Sequence, residues 1–195
     1  NKPGQGDLIG HGGPVKALAT SPDGAGIVSG SFDYSMMYWN VTDAAKPAMV
    51  KRFSDHDGAV NAVAVLPDGR HAVTGSDDGM VRLLNLRSGA IEHVFKGHDH
   101  KVVGIALSPD GTLAVSASWD RTVRIWSLAE ERQLHVLQGH RNTVNAAVFS
   151  TDARFVYSAG TDATIRKWRV SDGVEERVVF RNGWGINVLA ALPGG

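Results

Sequence analysis

Residues 97–126 read GHDHKVVGIALSPDGTLAVSASWDRTVRIW, the clearest copy of a pattern that recurs along the chain. It opens on Gly-His, continues through apolar runs separated by a Ser-Pro-Asp-Gly turn, and ends on a Trp six residues beyond an Asp. The chain has four copies of a His followed 22 residues later by an Asp: His11 and Asp33, His56 and Asp78, His98 and Asp120, His140 and Asp162. The four His residues are 45, 42 and 42 positions apart, and self-similarity at such a period indicates a repeat architecture.

Two further positions recur in register with these pairs. A hydroxyl stands 18 residues after each His, at Ser29, Thr74, Ser116 and Ser158. A Trp stands six residues after the Asp in three units, at Trp39, Trp126 and Trp168, whereas the second unit has Leu84 there. The tripeptide Pro-Asp-Gly, at residues 22–24, 67–69 and 109–111, is typical of tight turns, and residues 151–153 read Thr-Asp-Ala in the fourth unit. Each unit therefore reads as short strands between turns.

The units resemble WD repeats, in which Gly-His, a Pro-Asp-Gly turn, a Ser-rich strand and an Asp precede a strand that ends in Trp-Asp. The resemblance implies an all-β fold, a β-propeller whose blades are four-stranded antiparallel sheets. We place the repeats at residues 10–52, 55–96, 97–138 and 139–180, with an incomplete fifth at residues 181–195. No unit has an intact Trp-Asp dipeptide at the end of that strand, where the residues read Trp39-Asn40, Leu84-Asn85, Trp126-Ser127 and Trp168-Arg169, and Asn182 stands where the fifth unit should have its His.

The resemblance also predicts how the chain fills its blades. In the family, the outer strand of a blade precedes the next Gly-His. This predicts an outer strand at residues 7–9, four full blades and an inner strand at residues 185–192, which is a partial ring of about four and a half blades. Seven blades need roughly 290 residues, so we expect this chain of 195 residues to be part of a longer propeller. If the chain is complete, we expect its unpaired edge strands to associate with a second copy.

Composition narrows the range of partners. Twenty Lys and Arg balance 20 Asp and Glu, so no net field favours nucleic acid or an anionic membrane. No apolar run approaches the ~20 residues of a membrane helix. The sequence has no Cys for a thiolate site, and His98 and His100 lack a third ligand at a suitable spacing. We therefore expect no nucleic-acid or membrane partner, no metal and no cofactor, while the cell compartment is not determined.

Each unit contains a Ser or Thr, a His and an Asp, the residue types of a hydrolase triad. The trio recurs in every unit, however, and an enzyme needs one such site. In WD repeats these residues form a structural tetrad, in which the Asp holds the His ring, the His bonds the hydroxyl, and the hydroxyl accepts the Trp indole N–H. The resemblance gives this role to His11, Ser29, Asp33 and Trp39, to His56, Thr74 and Asp78, to His98, Ser116, Asp120 and Trp126, and to His140, Ser158, Asp162 and Trp168. We expect the second unit to be less stable, because the side chain of Leu84 has no N–H to donate in place of the indole.

Partners of WD propellers often dock on the face that carries the turn before the structural Asp and the start of each inner strand. Mapped onto this chain, that face predicts partner binding by Phe32, Trp119, Lys16, Asn61, Lys101 and Asn145. Large exposed aromatic rings dominate interface energetics, but the same rings can instead pack on neighbouring loops. The Asn side chains either bind a peptide or bond to the backbone, and the sequence leaves both alternatives open.

The sequence favours a non-catalytic interaction scaffold that binds a protein or peptide partner. A weaker resemblance favours a different class, because residues 9–15, 29–35 and 183–189 are similar to bacterial propellers joined to a c-type cytochrome domain. That resemblance implies an accessory domain in electron transfer, periplasmic rather than cytoplasmic, although the chain lacks the Cys-x-x-Cys-His motif of haem attachment. A propeller enzyme, the third class, needs one unrepeated acid–base cluster, and the sequence has none.

Overall fold

The fold is all-β. A computed structural model describes residues 10–43 and 45–191, and within them it has sixteen strands and no helix. The strands are β1 Val15–Thr20, β2 Gly26–Ser31, β3 Met36–Asn40, β4 Ala48–Phe53, β5 Val60–Val65, β6 His71–Ser76, β7 Val81–Asn85, β8 Ile91–Phe95, β9 Val102–Leu107, β10 Leu113–Ser118, β11 Thr122–Ser127, β12 Arg132–Gln138, β13 Val144–Phe149, β14 Phe155–Gly160, β15 Thr164–Arg169 and β16 Glu175–Arg181. Each consecutive group of four strands forms one antiparallel sheet in sequence order. The predicted all-β class and four-stranded blades are confirmed, and the molecule is a partial β-propeller of about four blades.

The turn between the first and second strands of each blade follows from its residues. In the third blade, Ser108 Oγ donates to Asp110 Oδ1 over 2.5 Å and accepts the backbone N–H of Leu113 over 2.9 Å. Gly111 then adopts a φ of 72°, which glycine tolerates because it has no Cβ. Ala153 adopts the same left-handed conformation in the fourth blade, with a φ of 56°, so that turn forms at some cost in backbone strain.

Consecutive blades pack face to face through apolar side chains. The inner strands β1, β5, β9 and β13 neighbour one another in that order, so the blades follow each other around a common axis. Between the second and third blades, the rings of Phe95 and Trp126 pack with their centroids 5.4 Å apart. Gly75 permits the close approach of β6 to β9, because a Cβ there would lie 2.5 Å from Val102 Cγ1. Apolar burial between sheets is therefore what joins one blade to the next.

The predicted inner strand at residues 185–192 is wrong for the part that the structure describes. Residues 185–191 contain no strand, although Ile186 donates its backbone N–H to Gly160 O over 3.0 Å. Every inner strand that does form pairs with the second strand of its own blade, as β13 pairs with β14. In the described part of the chain no second strand follows residues 185–191 to complete such a ladder. The predicted outer strand at residues 7–9 lies outside the described residues.

Candidate functional site

The recurring His, Asp, Ser and Trp side chains form hydrogen-bonded chains inside the blades. In the third blade, His98 Nδ1 donates to Asp120 Oδ2 over 2.6 Å. Ser116 Oγ lies 2.7 Å from His98 Nε2 and accepts the indole N–H of Trp126 over 2.8 Å. Because a carboxylate can only accept, the proton of the neutral imidazole lies on Nδ1, and the hydroxyl of Ser116 donates to Nε2. Each polar side chain of this tetrad therefore has a partner.

The fourth and first blades contain the same tetrad. His140 Nδ1 lies 2.9 Å from Asp162 Oδ2, and its Nε2 lies 2.7 Å from Ser158 Oγ. Ser158 also accepts the indole N–H of Trp168 over 2.7 Å. The corresponding distances in the first blade are 3.1, 2.7 and 2.8 Å, between His11 and Asp33, His11 and Ser29, and Trp39 and Ser29.

Burial favours the neutral form of the His98 and His140 rings. It lowers the pKa of His98 and of His140 below the ordinary value of histidine, although the neighbouring carboxylate acts in the opposite direction. Burial alone would raise the pKa of Asp120, but hydrogen bonds from His98 and Thr122 hold that pKa below its ordinary value. The resting tetrad is therefore a neutral imidazole bonded to an ionised carboxylate.

The second blade departs from the predicted tetrad at two links. Leu84 is fully buried and its side chain has no N–H, so the hydroxyl of Thr74 receives no indole hydrogen bond. Thr74 still bonds to His56 Nε2 over 2.9 Å. The predicted bond between Asp78 and the ring is wrong, because His56 Nδ1 has no hydrogen-bond partner among the described residues. Asp78 Oδ2 instead lies 2.8 Å from Arg82 Nη1. Burial, followed by the charge of Arg82, lowers the pKa of His56 to about 4.

The pairing of Arg82 with Asp78 follows from the residue that faces Arg82 on the outer strand. The third and fourth blades also have an Arg at this position of the third strand, and there it bonds to the outer strand: Arg124 to Gln133 over 2.5 Å and Arg166 to Glu175 over 2.6 Å. The corresponding residue of the second blade is Ile91, which has no polar atom. A buried guanidinium needs a partner, so Arg82 pairs with the carboxylate that the tetrad would otherwise use.

The tetrads tie loops together and do not expose a nucleophile. Ser116 is fully buried, and its oxygen is already occupied by His98 and by the indole. Asp120 also accepts the backbone N–H of Asp99 over 3.2 Å and that of Thr122 over 2.8 Å. One carboxylate thus holds the loop before the inner strand and the turn between the second and third strands. The Ser-His-Asp geometry of a hydrolase is present, but it is closed to substrate.

The six residues predicted to bind a partner line one groove. It lies at the ends of the inner strands, where the turns between second and third strands converge, and has a volume of about 520 Å³. We call it the loop-face groove, and it is lined by Phe32, Trp119, Lys16, Asn61, Lys101 and Asn145, together with Asp77, Val103, Asn187 and Val188.

Two pairs of a lysine and an aromatic ring stand in the loop-face groove. Lys16 Nζ lies 5.0 Å from the ring centroid of Phe32, and Lys101 Nζ lies 5.3 Å from that of Trp119. Phe32 is 46% exposed and Trp119 is 43% exposed, so neither ring is buried against neighbouring loops. Asp77 Oδ2 lies 2.5 Å from Lys101 Nζ. The groove therefore combines accessible apolar surface with charge.

Family models classify the chain. The model of the WD domain, G-beta repeat (WD40), matches residues 4–40, 48–85, 89–127 and 131–169, which together make up most of the sequence. The chain belongs to the WD40 repeat family. A search of the curated proteins finds no match. The weaker resemblance to propellers of c-type cytochromes gains no support from these comparisons and stays an expectation.

The WD40 matches are offset from the blades. The second match begins at residue 48, where the outer strand β4 of the first blade begins, and ends at residue 85, where β7 of the second blade ends. The second, third and fourth matches each supply the outer strand of one blade and three strands of the next, so each of these repeats links two blades. WD40 repeats build domains of the protein-interaction scaffold kind, and the family is generally non-catalytic.

Asn61 and Asn145 bond to the backbone, which is one of the alternatives that the sequence left open. Asn61 Nδ2 donates to Val102 O over 3.1 Å, and Asn145 Nδ2 donates to Ile186 O over 3.0 Å. Each side chain thus joins the inner strand of its WD40 blade to the next segment around the axis. Their role in the groove is to hold its walls together.

Four lining residues, Asp77, Val103, Asn187 and Val188, were not among the six predicted binders. Asp77 precedes its tetrad Asp as Phe32 and Trp119 precede theirs. Val103 and Asn187 stand at the same repeat position as Asn61 and Asn145, so register alone had the information to include all three. Val188 follows a segment that forms no strand, and no repeat position pointed to it. Val103 and Val188 give the groove apolar surface that the predicted set of residues did not include.

His98 and His100, considered above as metal ligands, have other partners. His98 is bonded within its tetrad, and the ring of His100 lies 5.7 Å from that of Trp119. Within residues 10–43 and 45–191, no group of three or more His, Cys, Asp or Glu side chains has an arrangement that holds a metal ion. In those same ranges, no helix has the length and hydropathy needed to cross a bilayer.

Proposed function

We propose that the chain is a non-catalytic interaction scaffold that binds a protein or peptide partner in the loop-face groove. The observation that carries this proposal is the pair of half-exposed rings, Phe32 and Trp119, each with a lysine amine over its face. Large aromatic side chains supply much of the binding energy at protein interfaces. A groove of about 520 Å³ holds a few side chains of an extended peptide.

The rigid presentation of both rings supports the proposal. Phe32 and Trp119 directly precede the tetrad carboxylates Asp33 and Asp120. The backbone N–H of Phe32 donates to Pro14 O, and that of Trp119 donates to Lys101 O, each over 3.0 Å. Both rings are therefore held by turns that are bonded on two sides. A partner that binds them meets a preformed surface and does not have to order it.

The chemistry of the groove supports binding over catalysis. Asp77 is its one carboxylate among the described residues, and it is paired with Lys101. General acid–base catalysis needs an acid and a base placed around one reacting group, and the hydroxyl–imidazole pairs of this chain are buried in the blades. The groove offers apolar and hydrogen-bonding surface instead.

The Trp119→Ala variant tests the proposal. Peptides are first selected from a random library on the wild-type chain, and their affinities are then measured for wild type and variant by fluorescence anisotropy. We expect binding to weaken by about 2 kcal/mol, or roughly thirtyfold, because the ring is an exposed anchor. We expect the melting temperature to stay unchanged, because the indole is not part of the packing between blades.

The matched control is Phe180→Ala, since Phe180 is also half-exposed but lies on the outer strand β16, away from the groove. It should leave affinity unchanged. Wild-type affinity in a folded Trp119→Ala variant, or an equal loss in the control, contradicts the proposed site.

A further inference from the structure

We propose that the loop-face groove selects acidic peptides: a partner carboxylate binds Lys16, and the apolar side chain next to it in the peptide packs on Phe32. This inference rests on the proposed function, because it names the chemistry of the partner that the same groove takes. It commits to a protein segment in which Asp or Glu stands beside an apolar residue.

The distribution of charge around the groove is the first reason. Three charged side chains line it, namely Lys16, Lys101 and Asp77. The amine of Lys101 is neutralised by Asp77 over 2.5 Å, whereas Lys16 has no ion pair among the described residues. The groove therefore keeps one uncompensated positive charge. Complementary charge steers an oppositely charged partner into a site and disfavours partners of like charge.

The position of Lys16 is the second reason. Its amine lies over the ring of Phe32, so a carboxylate that binds the amine brings its neighbouring side chain onto the exposed part of that ring. Val188, which is 77% exposed, adds apolar surface to the same groove. An acid flanked by an apolar residue satisfies both features at once, whereas an acid among polar residues leaves the ring in water.

Asp77 makes the Lys101 side of the groove differ in charge from the Lys16 side. Its carboxylate is held in place by Lys101 and by the amide of Asn61, which donates to Asp77 Oδ1 over 2.7 Å. A partner carboxylate placed near Trp119 would meet the amine of Lys101, whose charge Asp77 already neutralises, so the acidic residue is directed to the unpaired amine of Lys16. A nucleic acid fits less well, because one free amine neutralises few phosphates.

The test uses acidic peptides from the library selection and their matched forms in which Glu is replaced by Gln. Three variants of the chain are compared: Lys16→Gln, Asp77→Asn and, as a control, Lys46→Gln. Lys46 lies between β3 and β4, at the opposite end of the blade from the turn that carries Phe32, so its removal changes the net charge equally without touching the groove.

The expected results form a double-mutant cycle. On the wild type, replacing the peptide Glu should weaken binding by about fivefold, the upper range for an exposed ion pair. On Lys16→Gln this difference should disappear. Asp77→Asn, which frees Lys101, should strengthen binding of the acidic peptide by about twofold to fivefold and leave the Gln form unchanged. Lys46→Gln should behave as wild type at moderate salt, where distant charges are screened.

Other outcomes separate this inference from the proposed function. Selected peptides that are neutral or basic, but still lose affinity on Trp119→Ala, overturn the acidic selectivity and leave the groove as the binding site. Equal weakening by Lys16→Gln and Lys46→Gln overturns the assignment of Lys16. If no peptide is enriched at all, the binding function of the groove fails together with its selectivity.

Discussion

Ser116 illustrates how a single hydroxyl stabilises a buried polar chain. It donates to His98 and accepts from Trp126, so its loss would leave two buried groups without partners. Thr74 occupies the same register in the second blade but bonds to one group, His56. The cost of removing a buried hydroxyl depends on the groups left unsatisfied more than on the bond itself. Equivalent residues of the repeat therefore differ in their contribution to stability.

We predict that Ser116→Ala is more destabilising than Thr74→Val. The first change leaves two unpaired groups and should cost about 2–4 kcal/mol, whereas the second leaves one and should cost about 1–2 kcal/mol. Urea unfolding of both variants measures the difference. An equal or larger loss for Thr74→Val would mean that the hydroxyl is not the centre of the tetrad.

A second prediction at this scale concerns pH. In the folded state, burial lowers the pKa values of His56, His98 and His140 below the ordinary value of histidine. The pKa of His56 is lowered to about 4. The unfolded chain therefore binds more protons as the pH falls through about 6.5, and the folded state loses stability. We expect the melting temperature to drop between about pH 7 and about pH 5.

His71 acts in the opposite sense and serves as the control for that prediction. Burial alone would lower its pKa, but bonding to Asp68 and the charge of Glu92 raise it, so His71 adds stability at low pH that is lost as the pH rises through its folded pKa. His71→Asn should accordingly steepen the acid loss. A melting temperature that is constant or rises on acidification would contradict burial of neutral rings.

Within a single blade, the second blade shows which structural features can be predicted from the sequence and which cannot. The missing indole could be predicted, because Leu84 occupies a register that is Trp elsewhere. The broken bond between His56 and Asp78 could not, because it depends on the reach of the Arg82 side chain. The absence of the predicted strand from residues 185–191 has a similar cause, since strand formation requires a paired neighbour that a local pattern does not reveal.

We predict that amides of β6 exchange with solvent faster than those of β10. Both strands are the second strand of a blade with a neighbour on each side, but only the β10 blade has a complete tetrad. Ile91→Glu should slow exchange in β6, because it gives Arg82 the partner that Glu175 gives Arg166 and releases Asp78 for His56. Slower exchange in β6 than in β10 of the wild type would contradict the weakness assigned to the second blade.

In the whole molecule, the residues that stabilise the blades and the residues proposed to bind a partner lie in separate places. The tetrads lie inside the blades, and the loop-face groove lies where the blades converge. The sequence predicted the lining of the groove because residues in one register meet when repeats stack around an axis. It did not predict the pair of Lys101 and Asp77, which joins two different blades. Association of edge strands between two copies stays a prediction.

The most direct test of this separation compares Trp119→Ala with Ser116→Ala, measuring both peptide affinity and the free energy of unfolding in each. Trp119→Ala should lose affinity and keep its stability, whereas Ser116→Ala should lose stability and, at a temperature where it is folded, keep its affinity for the selected peptides. If Ser116→Ala abolishes binding while the protein remains folded, or Trp119→Ala unfolds the chain, then the tetrads and the groove do not have the separate roles assigned to them.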